Sequence, residues 1–539
     1  MEEEKISLLM KNWAIDIDVL NRDSQKARWN KPSIYKLPAP TTGGSSFHHN
    51  DNNKKSAAYL PYTVSFGPYH HHKGDHLKKM DPHKHRVLGH FLRRYNINPQ
   101  KLVDSLTTTS CGRQQVDHVD EANTDPKALP ILAEEEVLPV LQHLMDSYDS
   151  LDDEWLYDRD GFLKLMILDG CFMLEILQWS SVYDNHNALS SGSVTAATSL
   201  AGSIDDYFYA DNDPIFSRHG KLYVMSHIRR DMLMLENQLP MLLLKTLLGA
   251  VLPTQQKEDI EEHLNTIASN FCRGNSSYRN QNTGSCLHVL DLYRKSLLSI
   301  LPEDLREGSA LKNKNSGDHY CWGRSKAKGP TILFSGQTAS ADQKNSTAGS
   351  DGTGEDIIRS AMNLHDSGIK FEKSTDNLTD IWFEGHVLKL PVMVIDDITE
   401  STLLNLMAFE RFHVGAGNGI TSYVCFMDNI IDSSDDVKIL RSAGVLHNAI
   451  GSDKAVAKLF NEMTKDVTPD PESRLEKVVQ KQLDEYCRSQ WHEWRANLCH
   501  TYFKSPWALL SLLAAVFLLA LTICQTFYTI YPYYKPSGK

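Results

Sequence analysis

The chain has little of what a nucleic-acid binder, a disulfide-built domain or a common enzyme displays. There is no excess of positive charge: 56 Lys and Arg stand against 68 Asp and Glu, a formal net charge of −12. Neutralising phosphates takes a concentrated basic face, and here basic and acidic residues are interleaved, so no nucleic-acid partner is expected. Cysteine is sparse: nine residues, at 111, 171, 272, 286, 321, 425, 487, 499 and 524, with no C-x-x-C pair. That argues against a disulfide framework and a zinc ribbon and for thiols packed as small apolar groups. No P-loop, G-x-S-x-G elbow or kinase set occurs. The GAGNG turn at 415–419 lacks the G-x-G-x-x-G frame. The acidic runs Asp396-Asp397 and Asp428, Asp432, Asp435, Asp436 do not fit a calcium loop, which alternates its ligands around a fixed glycine. The opening MEEEKISLLMKNWAIDIDVL is acidic, with its apolar residues spaced rather than continuous, so it reads as a packing helix and not a secretory leader. No repeat of fixed period is found.

What is present is a composition that can build a large core, 41% hydrophobic and 23% charged, much as in ordinary folded proteins. A helix is expected to start around Val137, Leu138, Val140, Leu141 and Leu144. Residues 162–179, FLKLMILDGCFMLEILQW, are apolar nearly all round, which predicts a central buried helix. In MSHIRRDMLMLENQLPMLLLKTLLGA, Ile228, Met232, Leu235, Leu239 and Leu242 recur at helical spacing. They predict one continuous stripe, capped by Ser226 and kinked at Pro240. IIRSAMNLHDSGIKFE reads as a helix ended near Gly368, and IWFEGHVLKLPVMVIDD alternates as strands do, with a turn at Glu384-Gly385. Helix resumes through LLNLMAFERF, SYVCFMDNIIDS and SDKAVAKLFNEM. Asp470 and Pro471 should launch a helix through Leu475, Val479, Leu483, Tyr486, Trp494 and Leu498. Residues 38–58, 190–203 and 308–355 are polar and rich in turn formers, so they read as loops, the last as an insertion.

The remaining long run is SPWALLSLLAAVFLLALTICQTFYTIYPYY, uncharged until Lys535. About 20 apolar residues cross a hydrocarbon core as a helix. Trp507 stands at one end and Tyr528, Tyr531, Tyr533 and Tyr534 at the other, where amphipathic rings favour the headgroup zone. The expected anchor residues are Trp507, Leu509, Leu510, Leu512, Leu513, Phe517, Leu518, Leu519, Leu521, Ile523, Phe527 and Tyr528. Arg488, Arg495 and Lys504 precede the run, and Lys535 and Lys539 follow it. That excess leans toward a cytosolic body on a tail anchor, with the plasma membrane as the expected site. Sequons at Asn275, Asn345 and Asn377 would matter only to a lumenal body. The expected class is thus mainly α: a large helical globular body with a small β element and one C-terminal transmembrane helix. Its parts would be 1–58 (helix and polar loop), 59–470 (globular domain), 471–504 (juxtamembrane helix), 505–531 (span) and 532–539 (tail).

Two constellations remain as candidates for chemistry. Seven of the 23 histidines fall in VSFGPYHHHKGDHLKKMDPHKHRVLGHFLRR: His70, His71, His72, His76, His83, His85 and His90. A zinc ion needs three or four converging ligands. The seven-residue spacing of His76, His83 and His90 separates neighbours by about 10 Å along a helix, and Asp81-Pro82 interrupts the element. A half-exposed basic segment, open to pH sensing, is the more economical reading than a metal site. Four carboxylates, Asp169, Glu175, Asp231 and Glu236, lie in apolar helical patterns. Buried carboxylates must be paired or protonated, and Arg229 and Arg230 are available partners, so these six residues read as structural ionic staples. Use of the same carboxylates in catalysis is the competing reading, although Asp169 and Glu175, six residues apart, point to different faces.

Several segments together carry a family likeness. They include IYKLP (34–38), VSFGPYHH (64–71), HLKKMDPHKHR, LDGCFMLEIL (168–177), DPIF (213–216) and RRDMLMLENQLP (229–240). SGIKFE (367–372), IDDITESTLLNLMAFE (395–410), TSYVCFMDNIIDSSDDVKIL (421–440), GVLHNAIGSD (444–453) and the C-terminal run extend it. From about residue 33 to 532 the chain resembles the plant family called domain of unknown function 247. The resemblance implies a plant-specific, single-pass membrane protein with no established enzymatic activity and no catalytic residues to carry over. A similar GPYHHG-like element followed by a basic helix belongs to the family, so the histidines are largely a family signature; HHHKGD is richer in histidine here. The 308–355 insertion also departs from compact members. Some grass members look like pollen-side determinants of self-incompatibility; others are associated with defence or development. The expectation is a membrane-anchored recognition or signalling protein without catalysis or cofactor, touching lipid through its last helix and an unidentified protein through its body. The alternatives are a membrane scaffold, or a hydrolase or transferase using the buried carboxylates.

Overall fold

A computed structural model describes residues 32–38, 58–107, 140–190, 209–252, 260–273, 283–298, 360–374, 377–465, 467, 470, 471, 473–488 and 506–534. The expected N-terminal helix, the helix start at Val137 and Leu138, the loop at 308–355, Asn275, Asn345, Trp494 and Leu498 lie outside them, as does the loop expected at 190–203 beyond Ser190, itself helical. The described chain is mainly helical, with a three-stranded sheet, a two-stranded sheet and one long apolar C-terminal helix.

Its centre is the helix Arg159–Ser190 (here α5). Phe162, Met166, Phe172, Met173, Leu174, Ile176 and Leu177 are fully buried on every side of it. A helix without a polar face needs covers all round. They are α1 (Asp81–Arg94), α2 (Pro99–Thr107), α4 (Asp153–Tyr157), α8 (Met241–Val251) and α9 (Ile260–Arg273). Between α2 and α4 lies α3 (Val140–Asp146). Gly170 sets how closely α8 can approach, because a methyl group there would lie 2.5 Å from Leu247 Cδ1.

The region between α5 and α8 departs from expectation. One kinked helix was predicted across 226–250. The chain instead forms α6 (Arg218–Tyr223), α7 (Met225–Met232), a single 3₁₀ turn at Leu235–Asn237 and an extended Gln238-Leu239-Pro240 before α8. Proline disfavours helical backbone at the residue before it, and the polar groups released by the break are met by side chains. Gln238 Nε2 donates to the carbonyls of Met232 (2.6 Å) and Met234 (2.7 Å), and its Oε1 accepts from Leu290 N at 3.1 Å. Ile228, Met232, Leu235 and Leu239 are nonetheless buried, since the 3₁₀ turn keeps turning them inward, but Leu242, the last member of the expected stripe, is exposed on α8. Ser226 does not cap; Val224 precedes α7, and Ser217 caps α6 by accepting from Gly220 N.

A second half follows α10 (Val289–Leu298) and α11 (Ala361–Asp366). Strand β1 (Lys370–Ser374) pairs in parallel with β3 (Val387–Pro391), which pairs antiparallel with β2 (Trp382–Glu384) across Gly385 at φ +63°. Strand β4 (Met393–Ile395) pairs in parallel with β5 (Leu446–Asn448). The helices α12 (Thr399–Phe412), α13 (Gly419–Ile430), α14 (Ser434–Ser442) and α15 (Asp453–Met463) close this half. One apolar core runs through both halves.

Two segments assigned outside the body are packed into it. Residues 32–38 cross it as an extended strap: Ile34 bridges Tyr148, Ser33 O meets His288 Nε2 at 3.0 Å, and Tyr35 stacks on Phe412. Near the other end, Asp470 does not start a long helix; its carboxylate accepts from Asn418 Nδ2. A π-helical turn, Leu475–Gln480, and α16 (Lys481–Cys487) follow, burying Leu475, Val479, Leu483 and Cys487. The described cysteines are all free thiols. The last helix, α17 (Pro506–Tyr534), contains the window Leu513–Ile530, long and apolar enough to cross a membrane and uncovered by the rest of the described chain. Of the expected anchor residues, Trp507, Leu510, Leu513, Phe517, Leu518, Leu519, Leu521, Ile523, Phe527 and Tyr528 are exposed. The side chains of Leu509 and Leu512 lie outside the described residues.

Candidate functional site: a loop held by buried charges

The histidine-rich segment divides into a loop buried over 64–70, a short helical turn at Asp75–Lys78 and the helix α1; the loop continues back through the exposed Leu60 and Tyr62. An irregular segment inside a core must find partners for every amide and carbonyl, and here the expected staples supply many of them. Asp231 accepts from the backbone N–H groups of Tyr62, Thr63 and Val64 at 3.0, 2.6 and 3.0 Å. Asn237 accepts from Phe66 N at 2.7 Å and donates to Val64 O at 3.0 Å. Asp169 accepts from Gly67 N at 2.9 Å and from Lys84 Nζ at 2.6 Å; Lys84 also donates to Ser65 O at 2.6 Å. Gly67 sits at φ +71°, where a side chain would also meet Tyr148 Oη at 2.8 Å. Glu236 accepts from Leu37 N at 2.6 Å, tying the strap to the same centre.

The partners of these carboxylates differ from those expected. Asp169 pairs with Lys84, and Glu175 with Arg94 (2.6 Å for one of two parallel contacts); neither meets Arg229 or Arg230. Both cations come from α1, the segment read as half-exposed. Its inner face carries Lys84, Val87, Phe91 and Arg94 at spacings of 3, 4 and 3, one side of a helix. Lys84, Val87 and Phe91 are buried, and the Arg94 side chain is 4% exposed. That spacing was the available signal. Charges at the two ends of an apolar stripe indicate inward-facing cations when two buried carboxylates lack partners.

Arg230 lies beside Asp231 at 3.1 Å, donates to Leu60 O and covers the Tyr62 ring, 3.8 Å away. Arg229 forms no ion pair among the described residues; it stands over the Phe271 ring, and its buried Nε lacks an acceptor. It is not a staple. The sequence reading missed Glu410, which accepts from Arg294 Nε at 2.8 Å, from the N–H groups of Ile420 and Thr421, and from the Thr421 hydroxyl. Those two amides open α13, whose positive end favours a carboxylate. Asp213, within DPIF, accepts from the N–H groups of Ile215 and Phe216 and pairs with Arg86.

The electrostatics follow from burial. Removal from water pushes the carboxyl groups of Asp169 and Asp231 above the ordinary range, and the Lys84 ammonium and the loop amides pull each part of the way back. Asp213 lies below the ordinary range: burial opposes this, but Arg86 and the two amides outweigh it. Tyr209, whose hydroxyl donates to Glu175 at 2.7 Å, is raised by burial and by that carboxylate.

The histidines disperse to separate neighbours. His70 is buried with Nε2 3.0 Å from Glu236 Oε2, yet too far off line for a hydrogen bond. His71 and His72 stack at 3.7 Å, His72 at φ +56°; burial, then His72, pushes His71 down to about 4. His76 lies 3.3 Å from Pro61 O, His85 2.9 Å from Asp81 O, and His90 against the Tyr209 ring, while His83 neighbours Arg86. Among the described residues no three His, Cys, Asp or Glu are placed to hold a metal ion. Asp169, Glu175 and Asp231 have no exposed surface. The arrangement holds backbone in place; of the four expected carboxylates, Glu236 alone keeps some exposed surface, at 14%.

A family model described as a plant protein of unknown function, domain of unknown function 247, matches residues 46–521. A UPF0481 protein of Arabidopsis thaliana is 28% identical over 486 residues, covering 88% of this chain and 83% of the relative. A second UPF0481 protein of the same plant is 32% identical over 177 residues, 32% of this chain and 33% of the relative. No solved structure matches the chain.

Proposed function

The chain belongs to the plant family of unknown function whose model spans most of its length, and from that premise we propose a membrane-anchored protein that acts by binding another protein and makes no bonds itself. One observation carries the reading: the apolar window Leu513–Ile530 is uncovered by the rest of the described chain. A bare apolar helix of that length is costly in water and suited to a bilayer. The body supports the second half of the proposal. Its buried carboxylates are engaged by cations and backbone amides, so none is left over as an acid, base or nucleophile. We place the body on the cytosolic side by its flanking charges, with the plasma membrane as the expected membrane. In its sharpest form, drawn from the family resemblance, the protein is a pollen-side self-incompatibility determinant in a grass, its allelic identity carried by 190–203 and 308–355.

Alkaline carbonate extraction of membranes from cells making the full chain tests the anchor. The protein should stay in the pellet, and release into the supernatant would refute anchoring. A glycan on Asn275, Asn345 or Asn377 would move the body out of the cytosol. The self-incompatibility form requires pollen expression and strong allelic variation in the two loops; uniform loops end it. Replacing Asp169 by Asn separates binding from catalysis, because loss of folding marks a structural residue, whereas a folded protein that has lost a turnover would revive the hydrolase or transferase reading.

A further inference from the structure

The last helix has two unlike sides. The Ser, Thr and Gln residues between Ser511 and Ile530 all fall on one of them: Ser511, Thr522, Gln525, Thr526 and Thr529; the Tyr528 hydroxyl lies off it. At 100° per residue they lie within about 100° of arc. Ala515 and Leu518 fill the gaps, so 511, 515, 518, 522, 525 and 529 recur at 4, 3, 4, 3 and 4, the period of helices that wind left-handedly about a partner. The opposite side presents Leu513, Val516, Phe517, Ile523 and Phe527, all exposed.

The threonines on the polar side are already satisfied. Thr522, Thr526 and Thr529 donate to the carbonyls of Leu518, Thr522 and Gln525 at 2.8, 2.7 and 2.7 Å. The Gln525 side chain is exposed and has no partner among the described residues. An amide with two N–H groups and an acceptor oxygen is costly to leave unpaired in hydrocarbon. Gln525 lies about one turn inside Tyr528, and within the hydrocarbon a second span can satisfy both its donor and its acceptor. Among the described residues a single helix is long enough to be one, so no other described helix offers it cover. A primary amide donates and accepts, which makes it its own complement across a two-fold axis, and the short residues around it let two backbones approach.

We propose that this face binds the same face of a second copy of the chain, the two Gln525 amides hydrogen-bonding each other inside the membrane. The proposal rests on the anchor reading above. Its test uses the full chain, labelled with donor and acceptor fluorophores at the N-terminus and reconstituted into phosphatidylcholine vesicles. Flotation with the vesicles is scored first; failure to float overturns the anchor reading itself. For protein that floats, energy transfer should fall as lipid dilutes the pairs. Gln525→Leu should still float and should associate about fivefold more weakly, the scale of a lost interhelical hydrogen bond. Phe517→Leu, on the opposite side, should associate like the native chain. Floating protein with no energy transfer, or Gln525→Leu pairing as well as native, overturns the inference. So does transfer seen only in native membranes, which would assign the face to a different protein.

Discussion

Lys84 and Asp169 face each other at 2.6 Å with side chains 1% and 0% exposed. A pair so far from water is stabilising only while both members are present, because a lone buried charge keeps its desolvation cost. Asp169→Asn should therefore lower unfolding stability by about 3–5 kcal/mol, measured by chemical denaturation. Lys84→Met made together with Asp169→Leu should recover a large part of that loss. Recovery marks an ion pair holding the fold; a double variant no better than the single would mean that the loop amide of Gly67 needs the carboxylate more than the lysine does. His288 carries a pH dependence. It is fully buried between Ser33 O (3.0 Å) and the N–H of Asp291 (3.2 Å), so Nδ1 accepts and must stay unprotonated. Burial pushes it down to about 4 from 6.5. A lowered histidine contributes stability that is complete above the unfolded value and is lost as pH falls toward the folded one. Between pH 7 and 5 it should account for a loss of about 2 kcal/mol, and His288→Gln should remove that share of the slope.

Among the elements, the meeting of α5 and α8 is the tightest point of the centre. Gly170→Ala would place a methyl group 2.5 Å from Leu247 Cδ1 and 3.3 Å from Leu243 Cδ2. Overpacking of this kind costs about 1–3 kcal/mol, against a small gain in helix propensity, so a net loss in thermal stability is expected. Adding Leu247→Ala should relieve the clash while opening space of its own, which separates crowding from backbone effects. The existence of α5 was legible because eighteen residues apolar nearly all round, with a few charges among them, read as a helix buried in protein. The break at 233–240 was not. Its leucines and methionines kept helical spacing while the backbone left the helix, and periodicity records which residues turn inward, not which dihedrals turn them. The partners of Asp169 and Glu175 were hidden for a related reason. Lys84 and Arg94 are far off in sequence, and a basic helix reads as solvated until something shows which side faces in. The carboxylates themselves were visible, since charge inside an apolar run demands a partner wherever it is.

For the molecule as a whole, the boundary near the membrane lies later than composition suggested. Leu475, Val479, Leu483 and Cys487 are buried in the common core, so a chain ending after Asp470 loses about 5 kcal/mol or more of apolar burial. One ending after Arg488 keeps it and should be soluble without detergent. Comparing the two by light scattering and thermal melting checks this; equal stability would detach α16 from the body. The strap at 32–38 was marked in the sequence only by its family likeness, because an extended heptapeptide has no periodicity to betray burial. The loop it joins has a consequence in time. The amides of Tyr62 to Val64 are satisfied by a carboxylate about 170 positions later (169 for Tyr62). A ribosome adding roughly 5–20 residues per second needs about 10 to 30 seconds to deliver it. During that interval the amides of Tyr62 to Val64 are met by water, and this stretch reaches its folded place only after Asp231 has left the ribosome.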